Sequence, residues 1–394
     1  MITSTNVTGD NPFVYGEIVS AGAFADREQE RARLGQDLAE GQKVFLISPR
    51  RYGKSSLVRD VLRGLTRQRI LTVEVTVAAS SSYVGFLESY ARALVTADTP
   101  VGRIRRWSQE LLDAVRPEVR IDGPSMTPGG SSSGRVTVAF PSVRTARDTA
   151  RLAAEVFALP GRIAAARKQR LAIALDEFQA VAAFDGGNVE HALRAAVQDQ
   201  RTVGYVFAGS EPSLMERMLE AKRPFYKAGP VLRLQKIDPE IFAAFLDARF
   251  ASSGIKPEPG LGDAIVELAA NVPYDVQRLA HETWDDVRVA GRRGAGLEDL
   301  HATLTRLLGE QQTAFEEQWQ RLTLTQRAVL RALVLEEGRE LLSADVRARH
   351  RLPVASSVQS ALSALLKQDV VMKEGTRYVA SDSLYREWVA RKTF

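Results

Sequence analysis

The segment Ser48-Pro-Arg-Arg-Tyr-Gly-Lys-Ser55 holds the residue types that bind a phosphate chain. It matches the pattern G-x-x-x-x-G-K-[ST] at every defined position but the first, where Ser48 stands for glycine. Backbone N–H groups at the start of the helix that follows attract an anion, and Gly53 lets the backbone approach it closely. Lys54 then neutralises charge on the β- and γ-phosphates, and Ser55 offers its hydroxyl to Mg²⁺. The nucleotide-contacting set is therefore Pro49, Arg50, Arg51, Tyr52, Gly53, Lys54, Ser55 and Ser56.

A second constellation lies downstream, in Leu171-Ala-Ile-Ala-Leu-Asp176-Glu177-Phe178-Gln179. Here an apolar run delivers two adjacent carboxylates at its C-terminal end, where open α/β sheets place ligands. Asp176 suits Mg²⁺, directly or through water, and Glu177 suits the orientation and activation of an attacking water. Each piece alone is an ordinary turn. Together they point to ATP or ADP with Mg²⁺, and Glu177 favours hydrolysis over binding alone.

Such a site needs a sheet to carry it. Lys43–Ser48 (KVFLIS) is predicted as a buried strand entering the loop, and Ser55–Arg67 as the helix leaving it. More strands are predicted at Ile70–Thr76, Leu171–Leu175, Val203–Ala208 and Val231–Leu234, with helices at Tyr83–Ala97, Ala146–Phe157 and Val189–Gln200 between them. Near-continuous apolar strands alternating with helices imply a parallel sheet covered on both faces. Residues 117–142 interrupt this rhythm. Their Gly, Pro and Ser content predicts a flexible insertion. After Gln235 the pattern is helical, over Pro239–Trp284 with breaks at Gly254–Gly262 and Pro273, and again over Leu297–Gln320.

Composition narrows the class. The chain has 394 residues, 45% hydrophobic and 26% charged, enough for two to three globular domains. It has no cysteine, which removes disulfides, thiolate nucleophiles and Cys-ligated zinc. His191, His281, His301 and His350 share no metal-ligand spacing. No apolar run approaches the ~20 residues of a bilayer span, and Met1-Ile-Thr-Ser-Thr-Asn lacks a signal-peptide pattern. A cytoplasmic protein without a membrane partner is expected.

With these residues in place, the sequence resembles the archaeal-type ATPases of the STAND/MNS branch of P-loop AAA+ proteins, relatives of the origin-recognition ATPases. The resemblance spans nearly the whole chain. It is carried by Asn11-Pro-Phe13, Phe24-Ala-Asp-Arg27-Glu28-Gln-Glu30, the phosphate loop, Leu175–Gln179, Phe207–Ser210, Pro224–Ala228 and Val272–Leu279. It implies an α/β P-loop (AAA+/ASCE) core over residues 1–235, a helical lid over 236–319 and a winged-helix domain over 320–394. It also implies roles. Ser210 matches a sensor facing the γ-phosphate or the lytic water, though a plain Gly-Ser turn would look the same. Arg278 matches a lid sensor of the γ-phosphate, or else a solvated helix face. Phe13 falls in the stretch that lies against adenine and ribose. Phe24 and Arg27 pack and cap the first helix. Relatives often carry an arginine that acts across a subunit interface where this chain has Lys227. Arg50, Arg51, Arg217 and Arg223 are alternatives for it.

The C-terminal pattern is helix Thr323–Glu337, helix Ser343–His350 with Ser343 as N-cap, turn Leu352-Pro353 and helix Ser356–Lys367. A hairpin follows, Val370–Lys373 and Tyr378–Val379 around Glu374-Gly-Thr376, and then a closing helix carrying Trp388. A third helix of this kind enters the DNA major groove in winged-helix proteins. Here it offers Gln359 and serines but no arginine. Arg347, Arg349, Arg351, Lys373 and Arg377 suit phosphate contacts instead. From Gln320 onward there are 13 Lys and Arg against 8 Asp and Glu, so the whole +5 surplus of the chain falls there.

The expected function is a Mg²⁺-dependent ATPase switch, slow in turnover, with Glu177, Lys54 and Ser210 as its catalytic group. Its winged helix would engage double-stranded DNA or a protein, and it would form a nucleotide-dependent homo-oligomer. The alternative is a nucleotide-locked interaction scaffold for defence or signalling that does not bind DNA. A nucleotide kinase is a third, weaker option.

Overall fold

The computed structural model describes residues 10–16, 25–98, 118–122, 135–140, 143–184 and 188–392. The chain divides into two compact units. Residues 18–235 form one, and residues 1–17 together with 236–394 form the other. Among the described residues no helix is long and apolar enough to cross a membrane.

The first unit is built on β1 (Lys43–Ile47), β2 (Leu71–Thr76), β5 (Leu171–Asp176), β6 (Val203–Gly209) and β7 (Val231–Arg233). They form one parallel sheet in the order β2-β5-β6-β1-β7. Every residue of β5 and β6 is buried, as a sheet covered on both faces requires. The pleat sorts side chains by alternation. Phe45, Ile47, Ile173, Leu175, Tyr205 and Phe207 enter one core with α3 (Tyr83–Asp98), α4 (Ala146–Arg167), α5 (Asn188–Gln198) and α6 (Pro212–Met218). Val44, Leu46, Ala172, Ala174, Val206 and Ala208 enter the other, against α1 (Glu28–Ala39) and α2 (Lys54–Arg67).

Two local readings change. The helix expected to stop at Phe157 runs on through Pro160 to Arg167, because burial of Leu159, Ile163 and Ala164 outweighs the loss of one backbone bond. The amide of Gln200 donates to the Phe157 carbonyl at 2.7 Å beside it. The segment read as a flexible insertion carries an antiparallel pair, β3 (Glu118–Asp122) with β4 (Arg135–Ala139). Val136, Val138 and Phe140 bury into the first core, so alternation at the two ends prevails over the turn-rich composition of the middle. Residues 123–134 lie outside the described residues.

The second unit joins helices α7 (Pro239–Ser252), α8 (Leu261–Leu268), α9 (Pro273–Val289), α10 (Leu297–Glu310) and α11 (Gln312–Arg321), with the short parallel pair β8 (Lys256–Pro257) and β9 (Gly294–Ala295), to a C-terminal module. The helix expected over Leu297–Gln320 breaks at Gln311, whose ψ of 4° departs from the helical value. The module holds α12 (Leu324–Leu335), α13 (Ala344–Arg349), α14 (Ala355–Lys367), the hairpin β10 (Val371–Glu374) with β11 (Arg377–Ala380), and α15 (Ser383–Arg391). Thr323 and Gln326 form a capping box for α12, and the Ser343 hydroxyl accepts from Val346 N to cap α13. Trp388 packs with Tyr385, Phe315 and Trp319, and its indole donates to Gln312. That ties α11 to the module.

Candidate nucleotide site

Three strand ends place the reacting groups. Ile47 pairs with Gly209 and Leu175 with Phe207, so the C-terminal ends of β1, β5 and β6 lie side by side. Residues just beyond them are Ser48, Asp176 with Glu177, and Ser210. The loop after β1 turns into α2 at Gly53, whose φ of +83° lies in the left-handed region that favours glycine. Ser48 does not need that freedom. Its φ is not positive, and its buried hydroxyl donates to the Pro49 carbonyl at 2.9 Å. Serine in place of the first glycine is thereby accommodated. Tyr52 and Ser56 are buried, whereas Arg50 and Arg51 are exposed, Arg50 lying 3.7 Å from Glu211.

Lys54 is 5% exposed. Its ammonium bonds Asp176 Oδ1 and reaches Glu177 Oε1 at 3.3 Å. Ser55 donates to Asp176 Oδ2 at 2.8 Å. The backbone N–H of Glu177 donates to Asp176 Oδ1 at 2.9 Å. Asp176 is therefore held from three directions. Glu177 sits in the left-handed region at φ +52°, a conformation that costs a non-glycine residue on the order of 1 kcal/mol. Its Oε2 accepts from the Ser210 hydroxyl and from Gln179 Nε2 at 2.7 Å. Burial raises the Glu177 pKa, but these hydrogen bonds and the charge of Lys54 outweigh it and hold the carboxyl below its ordinary value. A cavity of about 610 Å³ opens beside Glu177, lined in part by Arg50, Ala78, Gln179, Ser210 and Glu211.

The structure thus brings Lys54, Ser55, Asp176, Glu177 and Ser210 into one hydrogen-bonded cluster. A buried cation against two carboxylates, with a serine hydroxyl beside them, is the donor set that phosphate and Mg²⁺ would share. Gln179 belongs to the same cluster. Its place in the motif after Glu177 does not by itself announce a role.

Comparison with solved structures places this geometry. The chain is similar to the Walker-type ATPase of Pyrococcus abyssi, at 16% identity and a TM-score of 0.60, covering 96% of this chain and 99% of that one. It is also similar to the Aeropyrum pernix ORC2 protein in its ADPNP–ADP complexes, at 13% identity and a TM-score of 0.54, covering 96% and 94%. The Aeropyrum pernix ORC1 protein in complex with DNA follows at 14% identity and a TM-score of 0.50, covering 92% and 91%. The fold is that of the P-loop ATPases. At these identities the likeness is one of fold. Residues 313–391 match the family model of a probable winged helix domain. No curated protein sequence matches the chain.

Other expected residues have partners of their own. Phe13 is 1% exposed, its ring centroid 4.7 Å from that of Phe250. A ring buried this way anchors residues 10–16 to the helical unit and presents no face for a base to stack on. His281 bonds the Phe13 carbonyl, Asn11 donates to the His281 carbonyl, and Tyr15 donates to Glu282 at 2.6 Å. Arg278 projects from α9 to the Gln311 amide, which satisfies the guanidinium when its oxygen is turned toward it. Arg27 occupies the N-cap position of α1 but makes no side-chain capping bond, its guanidinium donating instead to Glu30 and the Gln235 carbonyl. Phe24 lies outside the described residues. Lys227 lies over the exposed ring of Tyr226.

The winged-helix candidates divide. Arg351, Lys373 and Arg377 are exposed, the last two on the hairpin. Arg347 donates to the Leu342 carbonyl at 3.2 Å. Arg349 donates to Glu336 at 2.7 Å, and the same oxygen bonds His350, so Arg349 is committed to joining α13 to α12. On α14, Gln359 is exposed, and the hydroxyls of Ser360 and Ser363 turn back to carbonyls of their own helix.

Proposed function

We propose that this protein binds Mg·ATP and hydrolyses it, using the bound and released states to switch contacts made by its winged helix. The observation that carries this reading is the hydrogen-bonded cluster of Lys54, Ser55, Asp176, Glu177 and Ser210 at the ends of three strands. Backbone N–H groups from Gly53 to Ser56 cradle the phosphates, and Lys54 leaves the carboxylates to neutralise them. Ser55 and Asp176 would hold Mg²⁺, which when bound neutralises charge on the β- and γ-phosphate oxygens. Glu177 orients a water and takes its proton as the water oxygen bonds the γ-phosphorus. The bond to the β–γ bridging oxygen breaks, giving ADP and inorganic phosphate. The ORC2 neighbour's ADPNP–ADP complexes support the choice of adenine nucleotide. A nucleotide-dependent homo-oligomer completes the proposal.

For the winged helix, the ORC1 neighbour in complex with DNA supports duplex DNA as the partner. A second reading, a protein partner for a nucleotide-locked scaffold, is favoured by α14, whose exposed face carries Ser356, Gln359, Ser360 and Ser363 with Lys367 as its one charge. The test is ATP turnover and particle size of the full chain, with and without duplex DNA, beside the variant Glu177→Gln. The variant should keep ATP affinity and lose about 10²- to 10⁴-fold in turnover. Undiminished turnover would remove Glu177 from the mechanism, and DNA that neither binds nor stimulates would favour the scaffold.

A further inference from the structure

Resting on the hydrolysis reading above, we infer that Gln179 is a positioning residue that pins one carboxylate oxygen of Glu177 and leaves the other to receive the proton of the water. The two oxygens of Glu177 have different neighbours. Among the described residues Oε1 faces Lys54, at 3.3 Å, and Lys54 is the group that transfers to the phosphates. Oε2 is held on the far side by the Ser210 hydroxyl and by Gln179 Nε2 at 2.7 Å. When Lys54 moves, Oε1 gains a free lone pair and Oε2 keeps both donors. A carboxylate fixed at one oxygen cannot rotate about its last bond, so the free oxygen stays aimed. That orientation is what a general base needs.

The state of the Gln179 amide argues that this is its purpose. Its side chain is 6% exposed. The nitrogen faces three acceptors, Glu177 Oε2, the Ser210 hydroxyl at 3.4 Å and Glu211 Oε1 at 3.5 Å. The oxygen is buried and has no donor against it. Leaving a buried carbonyl unsatisfied costs about 1–3 kcal/mol, so an amide free to choose would turn its oxygen toward a donor. Turned the other way, that oxygen would meet two carboxylates. The amide is also wedged from behind, since a Cβ on Gly209 would come within 2.9 Å of that oxygen and 2.3 Å of Met215. The cluster therefore keeps one orphaned acceptor in order to hold one donor on Glu177. Deep burial of a polar group with an unmet partner is a signature of a functional constraint.

Two replacements separate positioning from mere packing. Gln179→Met keeps the length and cannot donate. Gln179→Glu keeps the shape and sets a negative charge against Glu177. The assay is steady-state ATP hydrolysis, with ATP affinity measured by a fluorescent ATP analogue and folding by thermal melts. Gln179→Met should lower kcat about tenfold, the scale of a lost orienting contact, with KM for ATP within about twofold. Gln179→Glu should lower kcat further than methionine does, although it is the closer match in shape. A packing role predicts the reverse order, with KM changing alongside kcat, and either result overturns the inference. If Gln179→Met melts below the assay temperature, the order of kcat between Gln179→Glu and the native chain decides it, a native-like rate being fatal. Native protein that binds ATP without turning it over would instead sink the hydrolysis reading itself.

Discussion

The nucleotide site and the winged-helix face both carry basic residues, and they hold them in opposite ways. Lys54 is buried and bonded to a carboxylate 122 residues away in sequence. Asp176 and Glu177 have all four oxygens engaged by donors. On the winged helix, Arg351, Lys373 and Arg377 extend from the surface, and Arg349 is spent on Glu336. A buried, fully hydrogen-bonded group of charges is expensive to assemble and has one geometry. Exposed arginines cost little and fit many partners. The difference separates a site organised before its ligand arrives from a surface that takes its order from a ligand.

The sharpest way to break this contrast is Lys54→Ala. It should abolish ATP binding, by at least about 100-fold as read by calorimetry, because a buried charge-assisted contact is lost with no water to replace it. Unchanged affinity would remove the site assignment. A smaller, graded effect is expected on the other side. Alanine at Arg351, Lys373 or Arg377 should lower the slope of log affinity for duplex DNA against log salt by about 0.9 for each phosphate contact removed. Arg349→Ala should leave that slope alone and lower the melting temperature, since its partner is Glu336. The smallest effect is at Tyr15. Its hydrogen bond to Glu282, with burial, pushes its pKa up to about 12. The folded state thus holds the proton more tightly than the unfolded chain. That stabilisation is complete below pH 10 and is lost as pH rises toward about 12. Tyr15→Phe should remove this alkaline limb, visible in melts between pH 9 and about 12.

How much the sequence disclosed follows how local each signal was. The phosphate loop is eight adjacent residues, and the carboxylate pair ends an unbroken apolar run, so both could be read without knowing any partner. The strands of the sheet were legible for the same reason. Phe13 was not, because an aromatic near a ligand-binding segment looks the same whether its ring faces a base or Phe250, 237 positions on. Gln179 was not, because its meaning lies in which end of the amide faces Glu177. The hairpin β3–β4 was hidden by the Gly- and Ser-rich stretch between its strands. The break at Gln311 has no glycine or proline at the break itself, so helical periodicity ran straight across it.

Residues 10–16 belong to the unit whose remainder begins at Lys236, so the unit built on the parallel sheet is spliced into the chain between two parts of one body. During synthesis this sets an order of events. Phe13 leaves the ribosome 268 residues before His281, the side chain that bonds its carbonyl. At typical elongation rates that gap is on the order of 15–50 s. The core can close on its own contacts within that interval, while the N-terminal strap must wait for a helix not yet made. Docking of the strap therefore follows closure of the core, and the contacts of α15 with Leu268 and Asp275 come later still.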